Sequence, residues 1–348
     1  MLASALNLLC ARSTWSKLVI ATLPLAALLT AQPAAAQVIP GNTGTITVLA
    51  EGLATPTAVA VKNGVAFVVE GQLARLGTLG GLFQARPVSL EGGGILVDRA
   101  LRVQLPGNDF FPEGIAADPL TGDLFVGSVF NGIIEKFADG QRKQQFTGRA
   151  PGVLQRGALG LRVDNARNLL WACDSSLSIA GGTVVGLSLA DASVAVRHEL
   201  PDGSLCNDIF LDAAGNLLVT ETLVGQVFRI DSANALTPNS AALFLATPEI
   251  APPAAGQLGA NGLAIAGASN ILFVANTFAG SLVRFDLAAA DVAGSVQVVN
   301  LVEAGVASAI LSGPDGLFPL SETQLLVVEN GFAGAGNNRL VRVDLDPQ

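Results

Sequence analysis

Residues 206–222 read CNDIFLDAAGNLLVTET. Two short apolar runs, Ile209-Phe210-Leu211 and Leu217-Leu218-Val219, flank the turn-forming stretch DAAGN at 212–216. Large and β-branched apolar residues on both sides of a Gly/Asn/Asp cluster are the signature of a β-hairpin. Asn207 and Asp208 stand directly before the first run, and Glu221 ends the second. In an antiparallel pair the start of one strand lies beside the end of the other, so these polar residues share one edge of the hairpin.

The same hairpin recurs along the chain. First runs occur in TPTAVAV at 55, FPEGIAAD at 111, GALGLRVD at 157, LCNDIFLD at 205, GANGLAIA at 259 and GPDGLFPL at 313. Each is followed by a second: VAFVVE, DLFVGS, NLLWAC, NLLVTE, ILFVAN and QLLVVE. The spacings between first runs are 56, 46, 48, 54 and 54 residues, the period of propeller blades. Third strands fit GIIEKF, GQVFRID, GSLVRFD and NRLVRVD, and fourth strands fit ALRVQLP, SVAVRHELP, AALFLA and SVQVVNL. Six in-phase units of four short strands predict an all-β fold, a six-bladed β-propeller with four-stranded blades. The last unit stops at its third strand, while GTITVLAEGL at 44–53 is a spare strand before the first unit. Pairing of residues 45–50 with 339–345 then completes the last blade and closes the ring without an exposed edge.

The repeat lines up two sets of positions at one mouth of the channel. The inner strands begin at Thr57, Glu113, Leu159, Asn207, Asn261 and Asp315, and the second strands end at Glu70, Ser128, Cys173, Glu221, Asn276 and Glu329. Glu113, Asn207, Asn261 and Asp315 offer the hard oxygen donors that a cation such as calcium takes. Crowded carboxylates also need a counter-charge, since each raises the pKa of the next. The competing reading is local: Asn and Asp before a strand often satisfy loop backbone groups. A single His and no Cys cluster speak against zinc or copper. His198 falls in an outer strand as a surface or interblade residue, which disfavours Ser-His-Asp chemistry, and Trp171 falls mid-strand in the core. Cys173 and Cys206 lie at the mouth in adjacent units, either as a disulfide or as two buried thiols.

On these residues the chain resembles the senescence marker protein/gluconolactonase/luciferin-regenerating enzyme family. The likeness rests on PEGIAADPLTGDLFVGS, CNDIFLDAAGNLLVTE, ANGLAIAGASNILFVAN and GPDGLFPLSETQLLVVE, over about residues 44–345. It implies a six-bladed propeller with a divalent cation, typically calcium, at the channel mouth, and lactonase activity. By resemblance, Glu113 and Asn261 are metal ligands, and Asp315 is a metal ligand and the catalytic base. Asn207 is then a substrate-side residue, with Glu221, Asn276 and Glu329 beside it as further substrate-binding positions. The 94, 54 and 54 residues separating Glu113, Asn207, Asn261 and Asp315 match steps of two, one and one blade. One departure matters. Where the family carries an arginine that grips a sugar-acid carboxylate, two residues before the asparagine, this chain has Leu205. The expected substrate is therefore a small molecule that is apolar or uncharged.

The first 36 residues carry Arg12 and Lys17, an apolar stretch at 18–31 and small residues at Ala34 and Ala36, the anatomy of a cleaved secretory signal. The expected domains are thus the signal, 1–36, and the propeller, 37–348, in the periplasm or secreted. The mature chain has 348 − 36 = 312 residues and, with 17 basic against 28 acidic residues, a net charge of −11. That balance excludes nucleic acid and, once the signal is removed, anionic membrane surfaces as partners.

Overall fold

Alternating apolar runs with turn clusters between them leave little scope for helices, and the chain folds into sheets. The structure, a computed structural model, describes residues 38–70, 82–84, 86–89, 102–104, 110–138, 141–147, 157–176, 179–331 and 336–348. The expected signal at 1–36 lies outside the described residues. Among those described, no helix is long and apolar enough to cross a membrane.

Four sheets hold four strands each, and in each of them successive strands pair antiparallel. The opening hairpin is the inner half of one: Cys206–Leu211 pairs with Leu217–Glu221, followed outward by Gln226–Ile230 and Ala242–Leu245. Polar residues that look out of place in the inner strands sit where the ladder is broken. Register shifts separate Pro56 from Ala58, Pro112 from Ile115, Ala158 from Leu161, Cys206 from Ile209, Ala260 from Leu263 and Pro314 from Leu317. Each shift is a bulge at the start of an inner strand, a device that frees residues from the ladder and re-aims them.

The inner strands abut one another in order. Thr57 Oγ1 donates to the Glu113 carbonyl at 2.8 Å. A Cβ on Gly114 would strike the backbone of Leu159, and one on Gly160 would lie 2.6 Å from the Asn207 carbonyl oxygen. The Leu263 N–H donates to Asp208 Oδ2 at 3.2 Å. A Cβ on Gly262 would strike the Asp315 carbonyl, and one on Gly316 would lie 2.8 Å from Ala58 Cα. The inner strand Pro314–Pro319 likewise neighbours Pro56–Lys62. Only glycine lets two backbones approach so closely, which accounts for its recurrence just after the bulge.

The N-terminal strand behaves as its pattern predicts. Pro40–Glu51 pairs antiparallel with Asn338–Pro347, setting Thr45 opposite Asp344, Ile46 opposite Val343 and Ala50 opposite Leu340. Two departures accompany it. Of the stretch SVQVVNL, Gln297–Val298 is the fourth strand of its own sheet, whereas Asn300–Glu303 crosses over to pair parallel with the N-terminal strand. With Val306–Ala309 the last sheet reaches six strands, covering an edge that twelve residues of strand would otherwise expose. Arg339 clamps this sheet, binding Glu303 at 2.5 and 2.9 Å and Glu329 through Nε.

Among the described residues the first sheet holds three strands. Its third strand is Arg86–Ser89, and Arg102–Gln104, within the expected fourth strand, pairs instead with Leu82–Gln84. Pro87 lies in that third strand opposite Phe67, and a residue without an N–H suits a strand at the edge of a sheet.

Candidate functional site

The bulges bring polar side chains to one channel. A cavity of about 200 Å³ is lined by Thr57, Glu113, Asn207, Asn261 and Asp315, together with Arg162 and Asp208. Four sequence-derived candidates thus share one cavity although 202 residues (315 − 113) separate the first from the last.

Their electrostatics are those of crowded acids away from bulk water. Asp315 is 6% exposed, and its pKa is pushed up to about 8, first by burial and then by the charge of Asp208. Asn330 Nδ2, donating to Asp315 Oδ2 at 2.7 Å, and the Asn261 amide oppose that rise. Glu113 is held well above the ordinary glutamate range by burial, then by Asp315 and Asp208. It keeps some accessible surface, and the opening it faces is the channel itself. Asp208 rises to about 6 through burial, against which the Ile209 and Leu263 N–H groups and the Arg162 charge act.

Asn261 is the decisive residue for a cation. It is 4% exposed, and its Nδ2 donates to Thr277 Oγ1 at 2.8 Å, which donates in turn to the Pro314 carbonyl at 3.0 Å. That chain fixes the amide so that Oδ1 is the acceptor left over, buried and without a hydrogen-bond partner. An orphaned buried carbonyl oxygen costs about 1–3 kcal/mol. Among the described residues no three or more His, Cys, Asp or Glu side chains form a metal-holding group. The donor set that fits a hard cation is therefore mixed: the carboxylates of Glu113 and Asp315 with the amide oxygen of Asn261.

The second set of mouth residues does different work. Glu221 accepts the N–H groups of Leu205, Leu223 and Val224 at 3.1, 2.8 and 2.9 Å. Glu329 accepts the Ser312 N–H at 2.6 Å and is paired with Arg339. Asn276 donates to the carbonyls of Glu249 and Ala251 at 3.0 and 2.8 Å and accepts from the Ala279 N–H at 3.2 Å. Glu70 accepts the Ala54 N–H at 2.7 Å and Ser128 Oγ the Phe111 N–H at 3.1 Å. A polar group at the end of each of these second strands thus ties down nearby loop backbone. Cys173 replaces the polar cap with a disulfide to Cys206, Cα to Cα 5.3 Å. Glu221, Asn276 and Glu329, expected on the substrate side, do not line the channel cavity.

Two charged residues of the channel lining lie outside the sequence-derived set. Asp208 shares the bulge with Asn207, and its adjacency was the available signal. Arg162 lies three residues beyond Leu159, where the other inner strands carry Ala60, Ala116, Phe210, Ala264 and Phe318. A charge at that repeat position is the anomaly. His198 is buried, with Nε2 3.0 Å from the Ala235 carbonyl and Nδ1 accepting the Ser240 N–H at 3.2 Å, away from the channel.

No family model matches the chain, and no curated protein matches it. Solved structures do. A streptogramin B lyase superposes with a TM-score of 0.56 at 11% identity, over 87% of this chain and 88% of that one. The fold is propeller-like. A catalytically inactive virginiamycin B lyase from Staphylococcus aureus, solved with quinupristin, gives 0.56 at 12% identity, over 87% and 100% of the two chains. A Bacteroides thetaiotaomicron protein of unknown function gives 0.57 at 13%, over 88% and 73%. At such identities the likeness concerns the fold and leaves the chemistry to the site.

Proposed function

We propose that this chain is an exported six-bladed β-propeller, closed by its N-terminal strand, that hydrolyses a lactone or related ester with the help of calcium or another divalent cation. The observation that carries the reading is the buried, unpartnered Asn261 Oδ1 in the same cavity as Glu113 and Asp315. These three residues would hold the cation. When bound, it would polarise the substrate carbonyl and make a water molecule more acidic.

The chain's own groups supply the rest. Asp315, whose pKa is pushed up to about 8 when no cation is bound, would serve as the base in its ionised form and take a proton from the attacking water; ester and water become acid and alcohol. Asn207 offers an uncharged amide beside it, suited to a substrate that carries no charge. Leu205 is 3% exposed and replaces the resembling family's arginine with packing, so the mouth has no cation of its own there to grip an acidic sugar. That same feature favours a second reading, a non-catalytic propeller that binds a ligand or protein at the channel. Lyase chemistry is not carried over from the structural neighbours. One of them is inactivated by replacing a histidine, while the single histidine of this chain is held in an outer strand.

The test is metal analysis of the purified mature protein, with a hydrolysis screen over lactones and aryl esters and the variant Asp315→Asn. Hydrolysis that needs the cation, and falls by about 10²–10⁴-fold in the variant, is expected from loss of the base. Unchanged turnover in Asp315→Asn would refute the mechanism. A parent that binds the cation yet hydrolyses nothing would select the binding reading.

A further inference from the structure

The guanidinium of Arg162 has no assigned work. It projects from the inner strand Gly157–Asp164, lines the channel cavity, and lies over the Phe210 ring with Cζ 4.4 Å from the centroid. Among the described residues it makes no hydrogen bond or ion pair. Asp208 favours its charge from nearby, but that carboxylate's oxygens accept the N–H groups of Ile209 at 2.8 Å and Leu263 at 3.2 Å. Other arginines of the interior are committed to the protein. Arg339 binds Glu303 and Glu329, Arg167 binds Asp164 and Ser232, and Arg284 binds Gln297.

An arginine keeps its charge and its five N–H donors at any ordinary pH. Arg162 is only partly exposed, and drawing such a charge out of bulk water with no hydrogen-bond partner is costly, so the fold is expected to hold it for something. With Cζ 4.4 Å from the Phe210 centroid the guanidinium is held over the ring as a cation–π pair, which consumes none of its N–H donors and leaves them for a ligand. A planar fork of this kind matches a carboxylate with two parallel hydrogen bonds. Charge narrows the choice further. Asp208, Glu113 and Asp315 line the same cavity, so a singly charged anion meets less repulsion than a phosphate dianion. A cavity of about 200 Å³ admits only a small acid.

We propose that Arg162 is the carboxylate-binding group of the channel, taking the carboxylate of a small organic acid in a site built with Phe210. The binding itself requires no catalysis. Joined to the hydrolase reading, the acid is the product: an uncharged ester gains a carboxylate on hydrolysis, in the cavity that contains Arg162.

The experiment is calorimetric titration of the mature protein with butanoate and with its uncharged isostere butanamide at fixed ionic strength, with calcium and with chelator. Inorganic phosphate is run in parallel, and the variants are Arg162→Gln and Arg162→Lys. The expected result is butanoate binding at least about tenfold tighter than butanamide and tighter than phosphate. Arg162→Gln should abolish the preference, and Arg162→Lys should keep part of it, having the charge without the fork. Preference for phosphate, equal binding of acid and amide, no butanoate binding by the parent, or an undiminished preference in Arg162→Gln would each overturn the assignment. The parent's choice between acid and amide decides the matter even if Arg162→Gln fails to fold. A parent that hydrolyses no ester yet binds butanoate through Arg162 would leave this assignment standing and remove only the hydrolase.

Discussion

Raising the pH should destabilise the cation-free protein, and Asp315 sets the size of the effect. Its carboxyl titrates at about 8 in the fold, against 3.8 for an ordinary aspartate. Between those values the folded state holds a proton that the unfolded chain has released. The contribution to stability is complete below the unfolded pKa and is lost as pH rises through the folded one. Three groups that titrate below neutrality work in the opposite sense, His198, Asp118 and Asp191, whose pKa values are lowered. Their stabilisation is present above their unfolded pKa values and is lost as pH falls, so it is nearly complete by pH 7.

The clean window is therefore about pH 7 to 8, where one differential proton is worth about 1.4 kcal/mol per pH unit. Allowing for the onset of titration near 8, Asp315 alone should remove roughly 1 kcal/mol, and Glu113, raised in the same direction, adds to it. For a chain of this size that is a fall of about 1.5–2 °C in midpoint. Thermal melts in chelator across this window measure it directly. Calcium at about 100 times its dissociation constant should add about 2.7 kcal/mol and flatten or reverse the slope. Asp315→Asn should remove most of the slope in chelator. A parent whose stability is flat or rises from pH 7 to 8 without cation, or an Asn variant that keeps the full slope, would refute the electrostatic account.

Glu221→Ala should lower stability by about 2–4 kcal/mol, because three N–H groups lose their acceptor, while calcium affinity changes less than twofold. Denaturant melts and a calcium titration of the variant check both halves; a large loss of calcium affinity with intact stability would return Glu221 to the ligand site. Replacing Cys173 and Cys206 together with Ala should cost about 3–4 kcal/mol, from the loop entropy of a bridge spanning 33 residues. A double variant within about 1 kcal/mol of the parent would show that the bridge restrains little.

The hairpin repeat is legible in sequence because its determinants are local. Period-two apolar runs make strands, Gly, Asn and Asp make the turns, and a spare strand at one end answers a missing one at the other. Register then places Glu113, Asn207, Asn261 and Asp315 at the same level of four inner strands, and they share a cavity. What escapes sequence is set by partners distant along the chain. Nothing local tells that Asn300–Glu303 leaves its neighbour to pair with the N-terminal strand, or that Arg162 packs on Phe210 without an acceptor.

The two sets of mouth residues show why residue type alone misleads here. Glu221 and Glu329 are as acidic as Glu113 and end strands at the same mouth, yet they are themselves paired on both sides, Glu221 with Cys206 and Gln226 and Glu329 with Pro314 and Arg339. Beside them run loops whose N–H groups need acceptors, and the carboxylates are consumed there. Glu113, Asn207, Asn261 and Asp315 instead occupy bulges, where the ladder skips them and the neighbouring backbone is sealed against glycine. Their backbones are thereby released from the ladder, and their side chains reach the channel cavity. The extreme case is Asn261, whose Oδ1 retains no partner at all among the described residues. Among these mouth residues the break in the ladder, more than the chemistry of the residue, marks which polar groups remain free to bind something.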